Sequence, residues 1–469
     1  MKSIQFFKGL SWLIILNLLV KPVWLFFIDR QVQLTVGYEE YGKYFAILNL
    51  SYVLFFLSDI GISNMLNQRA ANHLHVNIIQ LLKIKAVLLL CYFIVFCFFG
   101  WLTHISHWEI LLLVILIQIL TSLLIFCRNI VTSNQYFGAD AWLSVIDKML
   151  MIIFCGSILY TSMFGKISLL LFLQIQAACT ALAVSVSFVL ILKKRLITIA
   201  GKQNVENIIK LVLPFALITL LMSIHYRLDG FLLERIHTNG ALEAGIYASA
   251  YRLLDASNMV GYLASSFLVA FVARNLGEKQ TLEDAIFNTR HLLMFCSLGV
   301  ASFVFVFAPW LEALLYHSNS SYNATVIQLC IASYPAYCLV HVYGSVLTGA
   351  AKFKQFIMVL ILSVLLNIIL NSILIPAQGA VGCCIAALVS QYFCGVATLI
   401  IATRTIGISF HAKSLLIYIL FAALLTSFFY FGKNISANVW LILAIAVFAG
   451  LLFLITQLSV FKKYFISLR

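Results

Sequence analysis

The sequence predicts an all-α polytopic membrane protein of about fourteen transmembrane helices, two pseudo-symmetric six-helix bundles plus two C-terminal helices. Three observations predict it. Hydrophobic residues make up 63% of the chain and charged residues 10%, with a mean hydropathy of +1.05, a balance that soluble globular domains do not show. Apolar runs of about 18–25 residues, each long enough to cross a bilayer, recur from end to end. Lysine and arginine concentrate in alternate segments between those runs, as membrane topology demands.

The spans lie near 10–28, 43–60, 79–100, 109–127, 141–162, 167–192, 208–233, 241–271, 288–308, 325–349, 355–376, 380–402, 413–431 and 437–457. The first run has no small-residue cleavage site and contains Lys21-Pro22, so it reads as a retained span. With the N-terminus in the cytoplasm, the inner segments hold Lys2, Lys8, Arg69, Lys83, Lys85, Arg128, Lys193, Lys194, Arg195, Lys202, Arg274, Arg290, Lys352, Arg404 and Lys462, among others. The outer side holds only Arg30, Lys43, Lys166, Arg235 and Lys433. Both termini are therefore expected in the cytoplasm. Topology also accounts for most of the net charge of +14, and no nucleic-acid motif accompanies it. The intervals between runs, none longer than roughly 20 residues, are too short for a soluble catalytic domain.

The longest basic inner segment, 193–210, divides the chain. It suggests an N-terminal bundle over 1–200, a second bundle over 201–405 and two further helices over 406–469. The bundles share a signature. Span two opens with Gly42-Lys43-Tyr44 and runs to Asp59; span eight opens with Gly245-Ile246-Tyr247 and carries Asp255. Each follows a long apolar span and an acidic outer loop. Two such units entering from the same side make a parallel repeat, with a site expected at their interface.

Ionisable residues inside spans mark that site. On span eight, Tyr247, Tyr251, Asp255, Asn258, Tyr262 and Ser265 are spaced by three and four and form one stripe. Such a face turns toward a water-filled cavity or other helices, not lipid. Span seven adds Arg227 and Asp229, which lie apart by helical rotation, so each needs a partner elsewhere. Arg252 and Asp255 stand i, i+3 and could pair within span eight. Lys21, beside Pro22 in span one, either faces the cavity, snorkels outward or pairs with Asp59 of span two. An Arg252–Asp255 pair beside unpaired Arg227 and Lys21 would leave surplus positive charge, suited to an anionic, phosphate-bearing substrate. Asp147-Lys148 reads as interfacial, and Ser363, Asn367 and Asn371 as either cavity-lining or interhelical. The cysteines read as small packing residues. His104 and His107 read as loop residues, and Asn319, Asn323 and Asn434 head sequons that matter only in a secretory pathway.

Three stretches carry a family resemblance: YGKYFAILNLSYVLFFLSDIGISNMLNQRAA over 41–71, the run from Arg227 to Gly277 with Gly-x-Tyr-x-x-Ala-x-Arg-Leu-x-Asp, and NIILNSILIPAQGAVGCCIAALVS over 367–390. In these the chain resembles the polysaccharide flippases of the multidrug/oligosaccharidyl-lipid/polysaccharide exporter superfamily, and most of all the bacterial O-antigen flippases. It departs from many members in lacking a proline late in span eight. The resemblance implies two six-helix bundles with alternating access and no bond made or broken. The implied cargo is an undecaprenyl-diphosphate-linked oligosaccharide, an O-antigen repeat unit, carried from the cytoplasmic to the periplasmic leaflet. Lys21, Arg227 and Arg252 would then meet the diphosphate. Asp59, Asp229 and Asp255 would set helix contacts, bind sugar hydroxyls or accept a coupling proton, while Tyr247, Tyr251, Asn258 and Tyr262 would line the path. No cofactor is expected; proton or sodium coupling is left open. Partners are the lipid-linked oligosaccharide and membrane lipids, and the resemblance admits a polysaccharide polymerase and a chain-length regulator. The uncharged runs 414–431 and 439–460 would face lipid, as a tail groove requires in the similar lipid II flippases. A cation/drug antiporter of the same superfamily is the alternative. A membrane glycosyltransferase or polysaccharide polymerase is a third, weakened by the short outer loops.

Overall fold

The computed structural model describes residues 2–62, 66, 77–161, 166–196, 205–409, 412–435 and 438–447. Among them the chain is helical throughout, with no strand. The elements are α1 (Lys2–Val23), a π-helical turn (Trp24–Asp29), α2 (Arg30–Val36) and α3 (Tyr38–Leu54), then α4 (Ile78–Leu102), α5 (Trp108–Ser133), α6 (Phe137–Leu143), α7 (Ile146–Tyr160) and α8 (Leu169–Lys193). The second half holds α9 (Val205–Ile236), α10 (Gly240–Arg274), α11 (Lys279–Tyr316), α12 (Ser321–Ala332), α13 (Tyr334–Gly349), α14 (Phe353–Ile406) and α15 (Ala412–Ile435), and residues 439–447 are helical. Arg69, Lys202, Lys462, the middle of the 193–210 segment and the end of the last run lie outside the described residues.

Local chemistry sets several boundaries. Asn77, Ser168 and Ser320 each accept a hydrogen bond from a backbone N–H three residues on, capping α4, α8 and α12. Pro22, inside α1, cannot donate to the preceding turn, and the ladder widens into the π-turn just after it. That turn delivers Asp29 to a fully enclosed position.

Among the described residues, eleven helices are long and apolar enough to cross a membrane. One of them, α14, crosses twice. At Gly379 the backbone takes φ 55°, ψ −129°, a conformation that favours glycine, and the chain doubles back. Asn367 of the first arm then donates to Ser390 of the second at 3.2 Å. The turn matches the break expected between 376 and 380. Helix α3 has 17 residues and continues through a 3₁₀ turn, Phe55–Ser58. The last expected span is described only over 439–447, so fourteen spans are not all described.

One inner-loop assignment is corrected. Lys85 is buried inside α4, where its ammonium meets Asp59 at 2.8 Å. A lysine immediately before an unbroken apolar run reads as a loop cation, and only the fold shows the carboxylate that draws it inside.

Helices α3 and α10 pack along the centre, and their Gly-x-Tyr openings meet. A Cβ on Gly42 would lie 1.8 Å from the Ala241 carbonyl oxygen and 2.7 Å from the Gly245 nitrogen. A Cβ on Gly245 would lie 1.9 Å from the Tyr38 carbonyl oxygen. The two glycines let backbone press on backbone, closer than any other residue permits.

Candidate functional site in the α3–α10 seam

The seam is sealed at the glycine end and looser at the other. Helix α10 is enclosed on nearly every side from Ala244 to Leu254; beyond that only Asn258, Gly261, Leu268 and Val272 are buried, one face of the helix. The predicted stripe is divided accordingly. Tyr247 and Tyr251 are sealed against Phe45 of α3, at ring distances of 6.2 and 6.1 Å. Tyr251 donates to the Tyr226 carbonyl at 2.6 Å. Asn258 is buried, with its Oδ1 unpartnered. Tyr262 is 44% exposed and stands edge-on to His341. Ser265 bonds Ser345. The first two tyrosines therefore pack the closed part of the seam, and Tyr262 faces the open part.

Arg227 and Asp255 sit where the seam opens. The guanidinium donates twice to the carboxylate, at 3.1 and 2.9 Å, and lies over the rings of Tyr52 and Tyr251 at 4.9 and 5.0 Å. Both side chains keep some exposure, 18% and 17%. Arg227 is thus not an unpaired cation, and that expectation is corrected. The i, i+3 pairing of Arg252 with Asp255 is present but is the longer of two bridges. Those groups are 3.9 Å apart, whereas Arg252 reaches Asp29 at 2.8 Å. Tyr41 completes this buried knot by donating to Asp29 at 2.8 Å and accepting from Arg252 at 2.9 Å. Asp29 went unnoticed because it sits at the end of an apolar run, beside Arg30, where it reads as interfacial. The signal available in the sequence was an unmatched carboxylate inside the first 30 residues.

Asp229 is enclosed and accepts from Asn371 at 2.7 Å; Asn371 in turn donates to Asn367 at 3.0 Å. The asparagine row of α14 is therefore interhelical, one of the two expected roles. An Asn371→Leu substitution leaves a buried carboxylate short of a donor, and a loss of roughly 1–3 kcal/mol is expected. Thermal unfolding of the purified protein checks it: an unchanged midpoint would mean Asp229 does not depend on this bond.

Lys21 has no hydrogen bond or ion pair among the described residues, and the alternative that it pairs with Asp59 is excluded because Lys85 takes that carboxylate. It stands within electrostatic reach of Arg128, Asp147 and Lys148. Asp140 engages Arg128 at 2.7 Å, and Asp147 engages Lys148 at 3.3 Å. Lys148 also rests over Trp24 at 4.4 Å. Three cations thus face two carboxylates already engaged, leaving Lys21 uncommitted.

Near the sealed end, Glu312 of α11 is buried. It accepts from Asn323 at 2.8 Å and from Tyr38 of α3 at 3.4 Å, with Oε2 unpartnered. Asn323 is thereby committed to packing and is no accessible sequon. Arg30 donates to the Leu315 carbonyl and approaches His317 at 3.4 Å. These contacts join α2 and α3 to α11. All eleven cysteines are free thiols. Among the described residues no group of three or more His, Cys, Asp or Glu side chains could hold a metal. A surface cavity of about 690 Å³ between Glu40, His107 and Glu109 is separate from the charged groups of the seam.

A family model described as polysaccharide biosynthesis protein matches residues 6–271, and a second, MatE, matches residues 214–373. No curated protein matches the chain. Among solved structures, the fold is similar to the lipid II flippase MurJ in an inward closed conformation, at 15% identity and a TM-score of 0.69, covering 99% of each chain. It is also similar to an inward-facing multidrug resistance MATE family transporter of the MOP superfamily, at 15% identity and a TM-score of 0.57, over 84% of this chain and 94% of that one. A MOP superfamily transporter from Pyrococcus furiosus Vc1, with a binding pocket of reverse polarity, matches at 14% identity and a TM-score of 0.57, over 87% of this chain and 95% of that one. At these identities the likeness is one of fold.

Proposed function

Because the chain belongs to the family of polysaccharide biosynthesis proteins, matched over more than half its length, we propose that it is a flippase for a lipid-linked oligosaccharide. The cargo is an O-antigen repeat unit on undecaprenyl diphosphate, carried from the cytoplasmic to the periplasmic leaflet of a bacterial inner membrane. The halves 1–200 and 201–405 act as two lobes hinged at 193–210, and 406–469 adds two lipid-facing helices. The observation that carries the reading is the uncommitted cation Lys21 beside Arg128 and Lys148, where both neighbouring carboxylates are engaged. A diphosphate is the ligand such a cluster suits, since its oxygens replace the water that a half-buried ammonium gives up.

The roles follow from what each group has free. Lys21 takes a phosphate oxygen. Arg227, held flat by two tyrosine faces and by Asp255, offers its remaining N–H donors at the edge of the open part. Tyr262 and the exposed edge of Asp255 meet sugar hydroxyls. Arg252, Asp29 and Tyr41 hold the lobes together at the closed end and do not touch cargo. Asp59 and Asp229 keep helices in register through Lys85 and Asn371. Moving the cargo needs the sealed end to part while the open end closes, so each leaflet is reached in turn.

Complementation tests the reading. Deleting the gene should abolish surface polysaccharide, and the wild-type gene should restore it. Lys21→Ala should express normally yet lose export by about 5–150-fold, the range of one lost charged contact worth roughly 1–3 kcal/mol. Lys21→Arg should retain much of it. Full export by Lys21→Ala would remove the phosphate role.

The MatE match over 214–373 favours a second reading, a cation/drug antiporter. It requires a carboxylate free to hold a cation. Asp29, Asp59, Asp140, Asp147 and Asp255 each already hold an internal lysine or arginine, so the carboxylates this reading would have to use are Asp229 and Glu312, which are buried with only neutral donors beside them. A deletion strain with intact polysaccharide and raised drug sensitivity would establish this second reading over the first.

A further inference from the structure

The seam does not use Arg290 of α11, and its setting is unusual. The side chain is 4% exposed. Its Nη1 donates to the Tyr343 hydroxyl at 3.0 Å and its Nη2 to the Ser414 hydroxyl at 3.1 Å; Nε has no acceptor. No carboxylate pairs with it among the described residues. Two of the five N–H donors of a guanidinium are thus used, both by neutral oxygens. A buried cation without a counter-charge costs several kcal/mol unless an anion or water supplies what the protein does not.

Its depth and surroundings say which anion. From Arg290 to Glu312 the helix rises about 33 Å at 1.5 Å per residue, close to the hydrocarbon thickness of about 30 Å. With Glu312 joined to the outer-loop residue Asn323, Arg290 falls at the opposite, inner edge, where lipid phosphates lie. That placement rests on the expected orientation of the chain and not on its cargo. Helix α15, which covers Arg290 through Ser414, presents Leu415, Leu416, Ile419 and Leu420 outward, each more than half exposed. One helix layer therefore separates the guanidinium from lipid. The neighbouring wall is aromatic. Phe287 lies under the guanidinium at 5.3 Å, His291 bonds Tyr418 at 2.6 Å, and Phe295 packs on Phe421 at 4.7 Å. Such a wall accepts an acyl chain below a phosphate. All of Arg290's partners come from α13 and α15, away from the seam.

We propose that Arg290, between α11, α13 and α15, binds the phosphate of an anionic phospholipid of the inner leaflet, with its chains along Phe287, Phe295 and the flank of α15. The lipid phosphate accepts the guanidinium donors that the protein leaves over, and in doing so fixes α15 to the second lobe.

Native mass spectrometry of the full-length protein in detergent tests this, with phosphatidylglycerol, phosphatidylcholine and inorganic phosphate as probes. The wild type should retain phosphatidylglycerol roughly tenfold more strongly than phosphatidylcholine, a difference of about 1.4 kcal/mol. Arg290→Gln should erase that preference and Arg290→Lys should keep part of it. Inorganic phosphate should leave the bound phosphatidylglycerol in place. Equal retention of the two lipids by the wild type, or an unchanged preference in Arg290→Gln, would overturn the proposal. Displacement by inorganic phosphate would also overturn it, showing a free-anion site. Should Arg290→Gln fail to fold, a photoreactive phosphatidylglycerol on the wild type decides. Label on peptides spanning 287–295 or 414–421 supports the site, and label confined to other helices rejects it.

Discussion

Replacing Gly42 or Gly245 with leucine is expected to abolish export while leaving the protein in the membrane. The side chain at either position would enter space held by backbone atoms of the other helix. At Gly42 the first added carbon would stand 1.8 Å from the Ala241 oxygen, and at Gly245 it would stand 1.9 Å from the Tyr38 oxygen. A flexible neighbour could give way, but a carbonyl in a packed helix cannot move without its helix. Overpacking ordinary core contacts costs roughly 1–3 kcal/mol. On a closing equilibrium that already shifts the populations about 5–150-fold, and a backbone clash exceeds it. The helices away from the seam keep their packing, α5 on α8 and α13 on α14 among them. What is lost is the sealed end. The expected result is a normal amount of inserted protein, loss of surface polysaccharide, and permanent access from the outer side. Membrane insertion, surface polysaccharide and labelling of a cysteine placed at Tyr38 by an impermeant maleimide read the three effects. Wild-type export by Gly42→Leu would show that this contact does not have to close during transport.

The second large effect is expected at Arg252. Its guanidinium is the partner of Asp29, which is fully buried and already has one unpartnered oxygen. Arg252→Ala leaves that carboxylate with Tyr41 alone, and losing one partner of a buried pair costs roughly 3–5 kcal/mol. Arg252→Lys places a charge nearby but loses the fork that spans Asp29 and Tyr41. It should retain part of the stability and export. The informative variant is the double one. Asp29→Asn with Arg252→Gln removes both charges and keeps groups that can bond, so it should unfold later than Arg252→Ala alone. Thermal unfolding of the set checks the claim. If the double variant is no more stable than Arg252→Ala, the pair is not the reason the single substitution fails. If it is stable yet cannot export, Arg252 also contacts cargo, and the role assigned to Lys21 has to be shared.

The sequence made the membrane class and most spans plain, because bilayer thickness imposes a length and hydropathy that no other fold needs. It also showed the Gly-x-Tyr repeat, though not that the two copies touch. Pairing was the less legible part. Arg252 and Asp255 are neighbours on one helix, and that proximity suggested a pair. The fold offers Arg252 a nearer carboxylate, placed by the π-turn after Pro22. No periodicity announces that turn. Lys85 misled for the opposite reason. It sits before an apolar run and looks like a loop residue, but a half-buried aspartate in the turn after the Phe55–Ser58 segment draws it inward. Arg227, taken as surplus charge, proved to be neutralised by a residue on the adjacent helix. Lys21, which has no ion pair among the described residues, stood out as an in-span cation from its position beside Pro22.

Reconstitution in liposomes tests the central claim most directly. The purified protein is incorporated into vesicles holding a polyprenyl-diphosphate oligosaccharide, and a membrane-impermeant glycosidase is added outside. A flippase should make nearly all of the sugar accessible, whereas protein-free vesicles should yield only the outer-leaflet share. Lys21→Ala should slow the approach to completion. Sugar that stays protected as it does in protein-free vesicles, while the same vesicles accumulate a cationic drug against a proton or sodium gradient, would contradict the account.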